Sequence, residues 1–143
     1  MTPEEARARF AAARVARLAT ADASGRPHVV PLVFAVDGDT VLSAVDAKPK
    51  RTTALRRLAN VEANPQVALL ADHYDDADWD ALWWVRADGT GRVVQPDAPD
   101  AARAVELLQA RYPQYRAHPP AGPVLVVDVR RWSGWQAADT LPR

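Results

Sequence analysis

This sequence has no cysteine, which removes disulfides, thiolate nucleophiles, iron–sulfur clusters and zinc ribbons from consideration. Histidine is scarce: His28, His73 and His118 stand far apart, without the spacing of metal ligands, so no metal site is expected. The six glycines form neither a Walker loop nor a dinucleotide fingerprint, and no Gly-x-Ser-x-Gly elbow occurs. Hydrolase and nucleotide-kinase readings therefore lose their usual markers. No apolar run reaches the roughly 18 residues needed to span a bilayer. The opening stretch "MTPEEARARFAAARVARLAT" alternates charge with alanine instead of carrying the apolar core of a signal peptide. The expectation is a cytoplasmic protein with no membrane partner. Net charge is zero, from 18 basic and 18 acidic residues, so no global field draws in nucleic acid, and any anion site must come from local clustering. Lysine is nearly missing too: of the 18 basic residues only Lys48 and Lys50 are lysines, and both lie in "AKPKRTT", residues 47–53.

The 143 residues suit one domain, residues 1–143, able to bury roughly two-thirds of its unfolded surface. Pro3 followed by Glu4 and Glu5 suits the first turn of a helix over 3–13, where a missing amide costs little and carboxylates meet the positive dipole end. "VARLATA", "HVVPLVFAV" (28–36) and "TVLSAV" read as three strands in a meander, with Asp37-Gly38-Asp39 as the tight turn before the third. Ala54, Leu55, Leu58, Ala59 and Val61 recur at helical spacing, giving a short helix that Asn64-Pro65 stops and that Thr52 or Thr53 can cap. "QVALLADHY" is a strand and "DDADWD" an acidic loop. "ALWWVRADGTGRVV" is strand-like on both sides of Asp88-Gly89, which spacing alone leaves as either a hairpin or a glycine bulge. A helix through "AARAVELLQARY", capped by Asp97 or Asp100 and ended by Pro113, precedes a last strand "VLVVDVRRW". The sum is a mainly β, α+β fold: a small barrel of six to seven antiparallel strands with two to three short covering helices.

From Ala47 to Val61 the chain carries Lys48, Lys50, Arg51, Arg56 and Arg57 and not one carboxylate. Pro49 biases Lys48 away from helical geometry. The basic stretch thus arrives at a helix N-terminus, where free amides, threonine hydroxyls and ammonium groups converge on an anion. The bland alternative is a solvated basic turn with Arg56 and Arg57 on the helix's outer face. The five tryptophans are many for this length, and Trp83 and Trp84, adjacent on one strand, point to opposite faces. A second subunit or a ligand would cover whichever is left in water.

Taken in order, "ARLATADASGRPHVVPLVFAVDGDTVLSAVDAKPKRTTALRRLANVEANPQVALLADHY", "WDALWWVRADGTGRVV" and "RWSGW" resemble the split β-barrel flavin-binding superfamily of pyridoxamine 5′-phosphate oxidase type. More narrowly they resemble its branch that uses the deazaflavin coenzyme F420, over residues 5–136. The resemblance implies a homodimer with the cofactor at the subunit interface and a small-molecule substrate. It implies ring contacts at Pro31, Val33, Ser43 and Val45, and phosphate contacts at Lys48, Lys50, Arg51 and Thr52. It also brings Trp132 and Trp135 to the partner's site and favours the bulge at Gly89. Serine at position 43 departs from the Arg-x-x-x-x-Lys pattern of the pyridoxamine phosphate oxidases proper, which weighs against that activity. The implied function is hydride transfer from reduced F420 to a small conjugated molecule, with no catalytic side chain, because the cofactor carries the chemistry. The alternatives are an FMN-dependent oxidoreductase of the same fold and a non-catalytic barrel that binds a flavin, haem or tetrapyrrole. Single-stranded nucleic acid held by the lysines and tryptophans is disfavoured by the zero net charge.

Overall fold

The structure, a computed structural model, describes residues 1–45 and 51–140, the side chains of 51–55 and 140 excepted. Its elements run α1 (Pro3–Ala12), β1 (Ala16–Ala21), β2 (Pro27–Leu32), β3 (Ala35–Asp37), β4 (Thr40–Ala44), α2 (Arg51–Ala63), β5 (Gln66–His73), β6 (Trp83–Val94), α3 (Pro99–Arg111), α4 (Pro113–Ala117) and β7 (Val124–Gln136). Two short 3-10 turns, Trp79–Ala81 and Ala137–Thr140, complete the set. The seven strands form one sheet in the order β2-β1-β5-β6-β7-β4-β3, every neighbouring pair antiparallel. This is the α+β antiparallel architecture with covering helices that the strand and helix patterns led to, and it agrees with the split barrel that the resemblance implied.

Local chemistry accounts for the ends of several elements. The Thr2 hydroxyl accepts from the Glu5 amide at 3.2 Å while the Glu5 carboxylate accepts from the Thr2 amide at 2.9 Å, a reciprocal cap that satisfies two otherwise orphaned donors of α1. At the β3–β4 hairpin Gly38 sits at φ 61°, which an L side chain resists. Pro99 opens α3 behind Ala98, which offers no side-chain cap, so neither Asp97 nor Asp100 caps this helix. Pro113, read as a stop, ends α3 but also opens α4. That raises the count from two or three helices to four. Likewise α2 begins at Arg51 and runs 13 residues, so Thr52 and Thr53 lie inside its first turn and not at its cap.

The expected meander is where the fold differs most from the sequence pattern. The run 28–36 is two strands, not one: β2 pairs with β1 at one end of the sheet, and β3 pairs with β4 at the other. Side chains hold the break between them. Ser43 Oγ donates to the Val33 carbonyl at 2.9 Å. The Tyr112 hydroxyl accepts from the Phe34 amide at 3.2 Å and lies 3.0 Å from the Phe34 carbonyl, so backbone that leaves the ladder remains hydrogen-bonded. Arg111 reinforces this corner, donating to the carbonyls of Ala11 (2.6 Å) and Ala13 and lying over the Phe34 ring at 4.9 Å.

Inside the curved sheet Leu18, Leu69, Val85, Leu125 and Val127 pack with Phe10 of α1, Phe34 and Trp132. On the opposite side of β4 and β7, Leu42, Val124 and Val126 pack against Ala101 and Ala104 of α3. Both faces of β4 are thus covered, which is why its apolar run is continuous rather than alternating. Opposite β7 the strand β6 is continuous through Gly89: the register passes from Asp88↔Arg131 to Gly89↔Val129, leaving Arg130 of β7 as the extra residue. The glycine bend is therefore a bulge, with its added residue on the partner strand.

Trp132 is 7% exposed; its edge meets the Phe10 ring at 5.4 Å, and its indole N–H donates to Asp39 at 2.9 Å. That hydrogen bond first, and then Arg7 at 3.2 Å, holds the Asp39 carboxyl below its ordinary pKa. A depressed carboxylate contributes stability that is present above its unfolded pKa and lost as pH falls through the folded one. Asp39→Asn should therefore show a flatter decline of urea stability than the wild type between about pH 5 and pH 3. Parallel declines in the two proteins would refute the coupling.

Candidate functional site

The residues singled out from sequence fall into three groups. Pro31 is exposed on β2 and Val33 half-buried at the break before β3. Ser43 and Val45 are buried, at 3% and 7% exposure, and the Ser43 hydroxyl touches the chain at Val33 itself. The Val45 amide donates to Pro123 at 3.1 Å, while a Cβ on Gly122 would stand 3.1 Å from the Val45 carbonyl. The end of β4 is thus fastened to the segment before β7. Lys48 and Lys50 lie outside the described residues, as do the side chains of Arg51 and Thr52, whose backbone forms the first turn of α2. Trp132 belongs to the core cluster just described.

Farther along α2, Arg56 is exposed but Arg57 is not on the outer face with it: it is half-buried near Tyr115, and burial pushes its guanidinium pKa down. Among the described residues its Nε has no hydrogen-bond partner.

A second feature was not singled out as a surface. Cross-strand register aligns Pro31, Arg17, Leu70, Arg86 and Ser133 across β2, β1, β5, β6 and β7, and in the next row Val29, Ala19, Ala68, Asp88 and Arg131. One face of five strands is therefore built from these side chains, with Val29 62% and Leu70 38% exposed. Its apolar residues alternate with inward ones such as Leu18, Leu69 and Val85, the period-2 signal of a strand with two faces. Along one edge Asp72, Trp84 and Trp135 continue the pattern. Toward the bulge the face dips into a hollow of about 330 Å³ floored by Ala19, Ala21 and Ala68 and rimmed by Gln66, Asp88 and Arg130. Trp83 points the other way, with the Arg9 guanidinium 5.1 Å over its ring and His73 stacked at 6.2 Å. Both tryptophans of the pair are thus half-buried, one on each side of the sheet.

Among the described residues no three His, Asp or Glu side chains group as metal ligands, and no helix is long and apolar enough to cross a membrane.

A family model described as pyridoxamine 5'-phosphate oxidase matches residues 2–136. No curated protein matches. Among solved structures, a conserved hypothetical protein from Mycobacterium tuberculosis superposes with a TM-score of 0.72 at 23% identity, covering 100% of this chain and 90% of that one. An FAD-binding protein from Mesorhizobium loti gives 0.69 at 21%, covering 94% of each chain. The heme storage protein HutZ from Vibrio cholerae gives 0.67 at 21%, covering 95% of each. At these identities the likeness establishes the fold.

Proposed function

This chain belongs to the pyridoxamine 5'-phosphate oxidase family, and from that premise we propose that it is an F420-dependent oxidoreductase acting as a homodimer, with hydride passing to a small conjugated organic substrate. Reduced F420 supplies the hydride; the chain's own residues bind, orient and exclude water. The observation that carries the reading is the route of the backbone. Val33 and Ser43, two residues the resemblance assigns to the ring, are hydrogen-bonded to one another. From Ser43 the chain leads through the basic segment to the N-terminus of the 13-residue helix α2. Pro31 and Val33 offer a largely apolar edge suited to one side of a flat ring. The free amides of a helix start, with Lys48, Lys50, Arg51 and Thr52, suit the phosphate and tail carboxylates. Ser43 and Val45, being buried, act by shaping the backbone beneath. The uncovered five-stranded face, with Val29 and Leu70 in water, supports pairing of two subunits there.

Titration of the purified protein with F420 and with FMN, followed by tryptophan quenching, tests this. Lys50→Ala should weaken F420 binding by about 1.5–3 kcal/mol, the range for a charge-assisted hydrogen bond. Equal affinity in mutant and wild type would move the phosphate elsewhere. A second reading is supported by relatives described as FAD-binding and as a heme storage protein: a barrel that holds a flavin, haem or tetrapyrrole, with FMN chemistry or none. Oxidation of reduced F420 with a panel of enones favours the first reading. A Soret band on adding hemin, with no turnover, favours the second.

A further inference from the structure

We propose that Arg57 is a ligand-binding residue, its guanidinium held without a protein partner between α2 and α4 to take the phosphate ester of a ring-bearing cofactor. Among the described residues five arginines are half-buried. Four of them donate to an oxygen: Arg7 to Asp39, Arg9 to Gln136, Arg86 to Asp88 and Arg111 to the Ala11 carbonyl. Arg57 alone of the five has neither a hydrogen bond nor an ion pair among the described residues, and its Nε is buried. A desolvated guanidinium without an acceptor is costly, because the hydration it loses is not replaced. Burial accordingly pushes its pKa down. Nε is its one fully buried nitrogen, so the two terminal amino groups are the edge a ligand can reach. That edge takes a phosphate or carboxylate in two parallel hydrogen bonds.

The chain supplies no anion of its own on these two helices at this point. Glu62, the one carboxylate of α2, is exposed, five residues on and about 140° around the helix. In α4 there is none. What stands beside Arg57 is Tyr115 of α4, which packs against the cluster of Ala35, Ala44 and Leu108. Ala44 separates Ser43 from Val45, so Arg57 is joined through one aromatic ring to the end of β4 that the reading above gives to the cofactor ring. One turn farther along α2 the buried Asn60 side chain donates to Thr20 at 3.1 Å, and Val61 lies in the core. The helix is thereby pinned to the sheet, which fixes the backbone of Arg57 at its depth. An anion arriving there meets an aromatic and apolar wall as well as a cation. Those surroundings suit an ester joined to a ring system better than a freely hydrated ion.

The identity of the ester rests on the reading above: F420 carries a phosphodiester and FMN a monoester. The anion site itself does not depend on which of the two binds, and that separates the two ideas.

Calorimetric titrations of wild type, Arg57→Met, Arg57→Lys and Lys50→Ala with two pairs of compounds test the proposal: FMN against riboflavin, and F420 against its ring fragment lacking the phosphate tail. The wild type should bind the phosphorylated member of at least one pair about 10-fold or more tightly than its counterpart. Arg57→Met should erase most of that preference while leaving the phosphate-free compound within about 2-fold, and Arg57→Lys should restore only part of it. Without ligand, Arg57→Met should unfold at a temperature equal to or above that of the wild type, because methionine occupies similar space with no charge to desolvate. An arginine kept only for structure would give a lower midpoint instead. A ligand-free Arg57→Met midpoint several degrees below wild type, an unchanged phosphate preference in that variant, or no preference in the wild type overturns the proposal. An Arg57-dependent preference for FMN without F420 binding leaves the residue standing and defeats the F420 reading; F420 binding that needs Lys50 but not Arg57 does the opposite.

Discussion

Gly89→Ala is expected to lower the thermal midpoint by roughly 10 °C or more, corresponding to about 3 kcal/mol in a domain of this size. A Cβ at this position would stand 2.4 Å from the Asp128 carbonyl oxygen, 3.0 Å from its carbon and 3.0 Å from Val129 Cα. All three are backbone atoms, so no rotamer change relieves the contact. Nor is β7 free to retreat. Val129 donates to the Asp39 carbonyl at 2.8 Å on its far side, and Asp128 is bridged to Arg92 at 3.2 Å. The strands would have to part at the bulge, taking with them the register that aligns Asp88 with Arg131 and sets Arg130 at the rim of the hollow. A midpoint within about 2 °C of wild type would show that the bulge absorbs a methyl group and that this close approach is not a constraint.

Phe10→Ala should cost about 3–5 kcal/mol, the range for removing a large buried aromatic ring. Only Ala6 and Phe10 of α1 are buried, so Phe10 supplies most of the apolar surface through which the helix holds the sheet. Its ring lies 4.7 Å from Phe34 and 5.4 Å from Trp132, at the point where the β2–β3 break, the helix and β7 meet. The cavity would also admit water beside the Trp132 indole. Urea unfolding should show the stability loss, and the folded protein's tryptophan emission should shift to longer wavelength. Phe10→Leu, which keeps most of the volume, should fall well short of this loss. An alanine variant with wild-type stability would mean that α1 is held by its capping box and the Arg9 contact to Trp83 instead.

How far the sequence could be read depended on the range of the interactions involved. The β3–β4 turn was legible because a single local requirement, positive φ at Gly38, decides it. The start of α1 was legible for the same reason: Pro3, Glu4 and Glu5, which mark it, all lie within its first turn. The break at Val33–Phe34 was not, since the apolar run there is uninterrupted. Two distant side chains make it, Tyr112 from 78 positions away and Ser43 from 10. The Asp88-Gly89 pair marked a bend correctly but could not show that the extra residue is Arg130, because that depends on how β7 aligns. Of the candidate site, the placement of Val33 beside Ser43 was not visible in the spacing; only the resemblance had grouped them. The placement of Trp84 opposite Trp135 required the strand order, since they lie 51 positions apart in the sequence. Lys48 and Lys50, which first drew attention, lie outside the described residues, and their part is left to titration.

Among the described residues the sheet has two free margins, and β2 is the longer of them, since β3 spans only Ala35–Asp37. A margin of this kind is a template on which a foreign strand can add. In β2, Pro27 and Pro31 flank Val29 at alternate positions, and proline is tolerated in a strand where its absent donor would point out of the ladder. Of those three outward positions, then, one alone retains an N–H. Val29 is also the most water-exposed aliphatic residue of the sheet, so a chain with valine in place of both prolines is expected to show slow, concentration-dependent precipitation that the wild type does not.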